Sequence, residues 1–209
     1  MKHPTFPSRR VLALTAACMS ALGLAGAAAA SVGVTSAGAA VSGPQADSFT
    51  FRLKPTAGIT ACLPNARGRV TITPGTLNDT MAVSIHGMPP RAGFDLFVIQ
   101  QPEKPFGVAW YQTDVHADRH GNGTATVRGI FDAETFSVSP GGTTTFAPTH
   151  QFHLGLWFNN PNKPFSLGCE PGAPAAIVTP FNGEQHAGIQ VLNTAQFPVD
   201  AGPLSHVHR

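Results

Sequence analysis

Two groups of residues in this chain could do chemistry: a close set of histidines and aspartates, and a polar loop that is written twice. Residues 113–120 contain Asp114, His116, Asp118 and His120. On a strand, successive side chains alternate between faces, so Asp114, His116 and Asp118 share one. Carboxylate and imidazole groups so placed could hold a metal ion and serve a hydrolase. The same polar face also suits a plain hairpin approach, and no Cys-x-x-Cys or His-Glu-x-x-His spacing reinforces a metal site. The metal set is therefore the alternative reading.

Residues 100–108 read QQPEKPFGV and residues 159–167 read NNPNKPFSL, at a constant offset of 59. Each copy offers an amide pair (Gln100 and Gln101, Asn159 and Asn160), a lysine (Lys104, Lys163) and two stiffening prolines. Paired amides donate and accept at once, as a sugar hydroxyl array requires. Trp110, Tyr111 and Trp157 lie close in sequence, and flat aromatic rings suit stacking against saccharide rings. His153 belongs with this set, because it begins the strand that leads into the second copy. Against a binding role stands a structural one, in which the prolines stiffen a connection, Phe106 and Phe165 plug the core, and the amides cap loose backbone groups.

Catalytic signatures are otherwise missing. There is no Gly-x-Ser-x-Gly, Walker loop or dinucleotide fingerprint, so no cofactor is expected. These features favour a non-catalytic protein that binds an extracellular polysaccharide or a cell-envelope component. A metal-binding protein using His116, His120 and their neighbouring aspartates is the second possibility.

The elements that must position these residues are strands. Phe49, Phe51 and Leu53 alternate with polar neighbours, as do Met81, Val83 and Ile85, and a period of two marks a half-buried strand. Further strands are expected at 59–63, 69–73, 94–99, 107–115, 123–131, 135–139, 153–158, 176–178 and 187–192. Turn pairs such as Pro74–Gly75 and Asn122–Gly123 separate them. About nine or ten short strands with turns every 8–12 residues predict one all-β domain over 48–198, a β-sandwich that is immunoglobulin-like in the broad sense. An open barrel could use the same strands. Residues 199–209 read as an irregular tail.

Aligning the two copies pairs Phe97 and Ile99 with Leu156 and Phe158 as a shared core face. The opposite face holds Phe94, Leu96 and Val98 in the first copy, but His153, Gly155 and Trp157 in the second. The first strand is thus apolar on both sides. Another segment or a ligand must cover its second face.

The N-terminus has Lys2, Arg9 and Arg10, then an apolar run too short to span a bilayer, then small residues. This is the order of a signal peptide over 1–30, cut after Ala30, with a flexible Ala/Gly leader over 31–47. Ser8–Arg9–Arg10 fits either general or twin-arginine export. A secreted location follows, with no membrane span. Beyond residue 40 the chain has ten Lys and Arg against eleven Asp and Glu, a net charge of −1. With no basic stripe visible along the chain, nucleic acid and anionic membranes are poor partners.

Cys18 leaves with the signal, and Cys62 and Cys169 remain in a chain bound for an oxidising compartment. They are expected to pair as an inter-strand disulfide across 107 positions, worth about 4–5 kcal/mol in the chain-entropy account. Thiol titration of the unfolded, unreduced mature protein should find no free thiol. Two free thiols per chain would refute the bridge.

Overall fold

The computed structural model describes residues 47–131, 137–138, 145–146, 150–180 and 186–207. The expected signal peptide and all but the last residue of the leader lie outside them.

Chain order runs β1 (Phe49–Pro55), α1 (Ile59–Cys62), β2 (Arg67–Thr73), β3 (Asp79–His86), β4 (Gly93–Ile99), β5 (Ala109–His116), β6 (Gly123–Gly129), β7 (Ser137–Val138) and β8 (Thr145–Phe146). It continues with β9 (His153–Phe158), α2 (Asn162–Ser166), β10 (Thr179–Pro180), β11 (His186–Ala187), β12 (Gln190–Asn193) and a 3-10 turn at Pro203–His206. The short segment 59–63, expected as a strand, is helical: Gly58 in the left-handed region starts a single turn closed by the Leu63 amide on the Ile59 carbonyl. Among the described residues, no helix is long and apolar enough to cross a membrane.

In place of two separate packed sheets, eight strands form one antiparallel sheet in the order β5-β4-β9-β12-β1-β2-β3-β6, nearly closed as a barrel. The corner is β1. Phe49–Leu53 pair with β2, whereas Lys54 and Pro55 pair with Asn193 and Leu192 of β12, so one strand belongs to both halves. The two edges, β5 and β6, approach each other at a seam without a shared ladder among the described residues. Strand count and turn spacing are common to sandwiches and barrels, and only long-range pairing separates them.

Alternation explains the core. Phe51, Leu53, Val70, Ile72, Met81, Val83 and Ile85 from one half meet Phe94, Leu96, Val98, Leu154, Leu156 and Phe158 from the other. A smaller cluster lies on the outer side of β4 and β9, made of Phe97, Ile99, Trp157 and Ala187 with Phe106 packed on it.

These two clusters overturn the face assignment drawn from the repeat. The main core takes Phe94, Leu96 and Val98, and Phe97 and Ile99 point outward. The reason is that β4 and β9 are direct antiparallel neighbours, with Phe94 opposite Phe158, Leu96 opposite Leu156 and Val98 opposite Leu154. Partners across a ladder share a face, and the offset of 59 is odd by one position relative to that pairing. The second face of β4 does need a cover, and the chain supplies it with its own 100–108 loop.

The disulfide between Cys62 and Cys169 forms, with the Cα atoms 5.1 Å apart. It ties the end of α1 to the loop after α2 and is not inter-strand. The final segment has no strand among its described residues, yet Leu204 and Val207 are fully buried and His206 packs edge-on against Phe49.

Gly155 is bare because the Trp157 ring lies over it, and a Cβ there would collide with that ring. Gly155→Ala should therefore destabilise the fold by about 1–3 kcal/mol, as overpacking does. In a Trp110→Phe background it should also shift the Trp157 emission to the red. Unchanged stability and unchanged emission would mean that Trp157 does not occupy this position.

Candidate binding face

The outer face of β5-β4-β9-β12 carries most of the residues singled out by sequence. The first loop copy folds back over it. Gln100 donates its amide to the Val108 carbonyl (2.9 Å) and Gln101 donates to that of Phe106 (2.9 Å), while Gln100 Oε1 accepts from the Val108 amide (3.2 Å). Lys104–Pro105 is cis, and Phe106 and Gly107 both have positive φ.

Two amides of β12 clamp the loop from below. Gln190 Nε2 and Asn193 Nδ2 both donate to the Pro102 carbonyl, at 3.1 and 3.2 Å. Phe106 then seats edge-on against Trp157, with ring centroids 5.0 Å apart. The Gln100 carboxamide is thus engaged by the loop's own backbone, while Gln101 closes the loop through its backbone amide. Lys104 and Glu103 stay exposed, at the rim of a cavity of about 380 Å³ that Thr56, Phe106, Glu170 and Gln190 also line.

The second copy has the same letters and a different structure. It forms helix α2, started by the Asn160 carboxamide, which accepts from the Asn162 amide at 3.0 Å. The Asn159 amide bonds the Gly93 carbonyl (3.1 Å), and Lys163 is half-buried. Neither Asn160 nor Lys163 lines the cavity at Lys104, so that cavity joins only one of the two loops to the candidate set.

Among the aromatics, Trp157 is fully buried and presents no face to solvent, whereas Trp110 is 57% exposed and Tyr111 48%. Trp110 pairs with Val98 and Tyr111 with Phe97, so the two rings leave β5 on opposite sides and do not make one platform. Tyr111 packs edge-on against Phe97 and donates its hydroxyl to Asp114 Oδ1 at 2.9 Å.

His153 is fully buried and hydrogen-bonded at both nitrogens. Nε2 lies 3.1 and 3.0 Å from the Pro198 and Val199 carbonyls, and Nδ1 lies 2.9 Å from the Thr194 hydroxyl. Carbonyls only accept, so Nε2 carries the proton and Nδ1 accepts from Thr194. Burial lowers the imidazole's pKa, against the raising effect of these backbone bonds. A neutral ring so held pins the C-terminal segment to β9.

The four metal-set residues do not converge. Asp118 Oδ1 accepts the His120 and Asn122 amides (2.7 and 3.0 Å), which closes the β5–β6 turn and holds the carboxyl below its usual pKa. Gly121, not the Asn122–Gly123 pair, supplies the positive φ of that turn. His120 accepts from Arg119 at 2.9 Å, and His116 stands 4.0 Å from Asp114. Among the described residues, no three His, Cys, Asp or Glu side chains gather as a metal site.

Sequence reading missed Asp95. It is the only charged residue in a run apolar on both faces, and that was the available signal. Asp95 sits directly opposite Asp114 across the β4–β5 ladder and is 3% exposed. Burial first, then a hydrogen bond and charge repulsion from Asp114, raise its carboxyl to about 7. A buried carboxyl facing a second one is costly to ionise. The same surroundings push Tyr111 up to about 12, burial foremost. Asp95, Asp114 and Tyr111 lie together on the outer face, with Asp95 opposite Trp157.

No family model matches the chain, and no curated protein matches it.

An acid with a raised folded pKa stabilises the fold while protonated. For Asp95 that contribution is complete below the unfolded value of about 4 and is lost as pH rises through about 7. Asn mimics the protonated acid at any pH. Asp95→Asn should thus stabilise the protein at pH 8 by on the order of 2 kcal/mol and change little at pH 4. Urea denaturation of both proteins at the two pH values decides it, with the His153 contribution cancelling between them. An equal difference at both would sink the raised Asp95 pKa.

Proposed function

We propose that this is a secreted, non-catalytic binding protein that engages an extracellular polysaccharide or another cell-envelope component at the β5 edge. The observation that supports this reading most is Trp110, a large indole left 57% in solvent on a strand whose outer edge has no ladder partner among the described residues. Val108, just before β5, is also exposed, and Tyr111 is half exposed on the other side of the strand. Rigid aromatics at an exposed edge offer wide contact at low conformational cost. Lys104, at the loop rim, adds a donor that no internal bond consumes among the described residues.

Asp95 is buried, so its carboxyl, opposite Asp114, is not open to solvent. The chemistry proposed for this edge is that of contact: stacking on Trp110 and hydrogen bonding from Lys104. The immunoglobulin-like description is compatible with the two facing halves that meet at β1.

The chain has two tryptophans, one exposed and one buried, so fluorescence reports the site directly. Binding of a polysaccharide from a glycan panel should quench or blue-shift the red, solvent-exposed component. Trp110→Ala should abolish both the signal and the affinity, and Lys104→Ala should weaken binding several-fold. A panel without any binder, or binding untouched by Trp110→Ala, would remove the β5 edge as the contact surface.

A further inference from the structure

The opposite half of the barrel carries a second surface that does not depend on the β5 edge. On β1, Arg52 and Lys54 alternate outward, and on β2 so do Arg67 and Arg69; all four are exposed. Arg52 sits directly across the ladder from Arg69, and Arg67 from His86. The four cations line one open cavity of about 460 Å³, with Ser84 and His86 on its β3 side and no acidic residue in its wall. Among the described residues, no carboxylate lies within 4.0 Å of any of the four.

This arrangement corrects the impression left by the near-zero net charge. Four of the ten basic residues beyond residue 40 are gathered on two neighbouring strands. Like charges directly opposite on a sheet destabilise it, and Arg52 facing Arg69 is such a pair. Farther along the same face the side chains satisfy one another instead, as in the Thr50–Thr71 and Ser48–Thr73 hydroxyl pairs, each at 2.8 Å. The repulsion is thus confined to one end of the face, where an anion would relieve it.

We propose that this patch binds a linear polyanion bearing tetrahedral oxyanions, phosphodiester or sulfate, of the kind found on extracellular polymers. Cations two residues apart on a strand stand roughly 7 Å apart, and those on adjacent strands about 5 Å, so two short rows of charge can track successive anions. Arginine's planar fork matches two oxygens of one phosphate or sulfate. The cavity wall has no Phe, Tyr or Trp, the large rings that serve as the main stacking platforms in single-stranded nucleic acid binding.

Calorimetry of the mature protein with poly(glycerol phosphate) and with heparin tests the proposal and separates the phosphate source from the sulfate one. Four neutralised contacts to a flexible polyanion predict about a 50-fold loss of affinity between 50 and 200 mM salt. In the double variant Arg52→Gln/Arg69→Gln, affinity at 50 mM should fall at least tenfold and the salt effect should shrink to about sevenfold. Its thermal midpoint should stay level or rise, because a repulsive pair is removed. Arg119→Gln and Trp110→Ala should both bind like the parent, which keeps this surface distinct from the β5 edge. Binding of neither polymer at 50 mM salt would overturn the proposal. So would a double variant that binds as well as the parent, or tighter binding to duplex DNA than to both polymers.

Discussion

The structure depends on a strand that has no wet face. Every residue of β4 from Phe94 to Ile99 is buried, and so is every residue of β9, its direct neighbour. An antiparallel sheet ordinarily keeps one side in water. Here the inner side builds the main core, and the outer side must be roofed by something else. Phe106 and the Pro102 carbonyl meet that need, the first by packing on Trp157 and the second by accepting from Gln190 and Asn193. Asp95, caught under the same roof next to Asp114, takes on the raised pKa that burial imposes.

That constraint explains why one nine-residue pattern has two structures. After β4 the chain must fold back across its own outer face, and the first copy becomes a tight loop closed by backbone bonds and the Gln100 carboxamide. After β9 the chain leaves the sheet, and the second copy becomes helix α2, which places Cys169 against Cys62. Pro-x-Lys-Pro-Phe is compatible with both because proline fixes one dihedral and leaves the rest to context. What the motif does is set by the surface it meets.

Charge follows the same logic on the other half. Arg52, Lys54, Arg67 and Arg69 lie in two short segments with other residues between them, and acids elsewhere in the chain balance them. Alternation already places each pair on one outward face, so the individual strands were readable. Their joining into a single patch needs β1 beside β2, with Arg52 against Arg69. Asp95 was also readable, as a charge where the pattern allows none, whereas its partner Asp114 was identified for a metal that the geometry does not assemble.

By itself, the sequence determined the all-β class, the place of most long strands, the Cys62–Cys169 pair and the need for a cover over β4. Each of these follows from local periodicity or from simple counting, which a linear chain carries in full. Tertiary structure alone decided that the sheet is one nearly closed surface, that Trp157 and His153 are buried while Trp110 is not, and which face of each repeat strand is core. Those outcomes depend on which distant strands share hydrogen bonds. Because side chains alternate with a period of two, a change of one residue in the register inferred between β4 and β9 exchanges the inside of the protein for its outside.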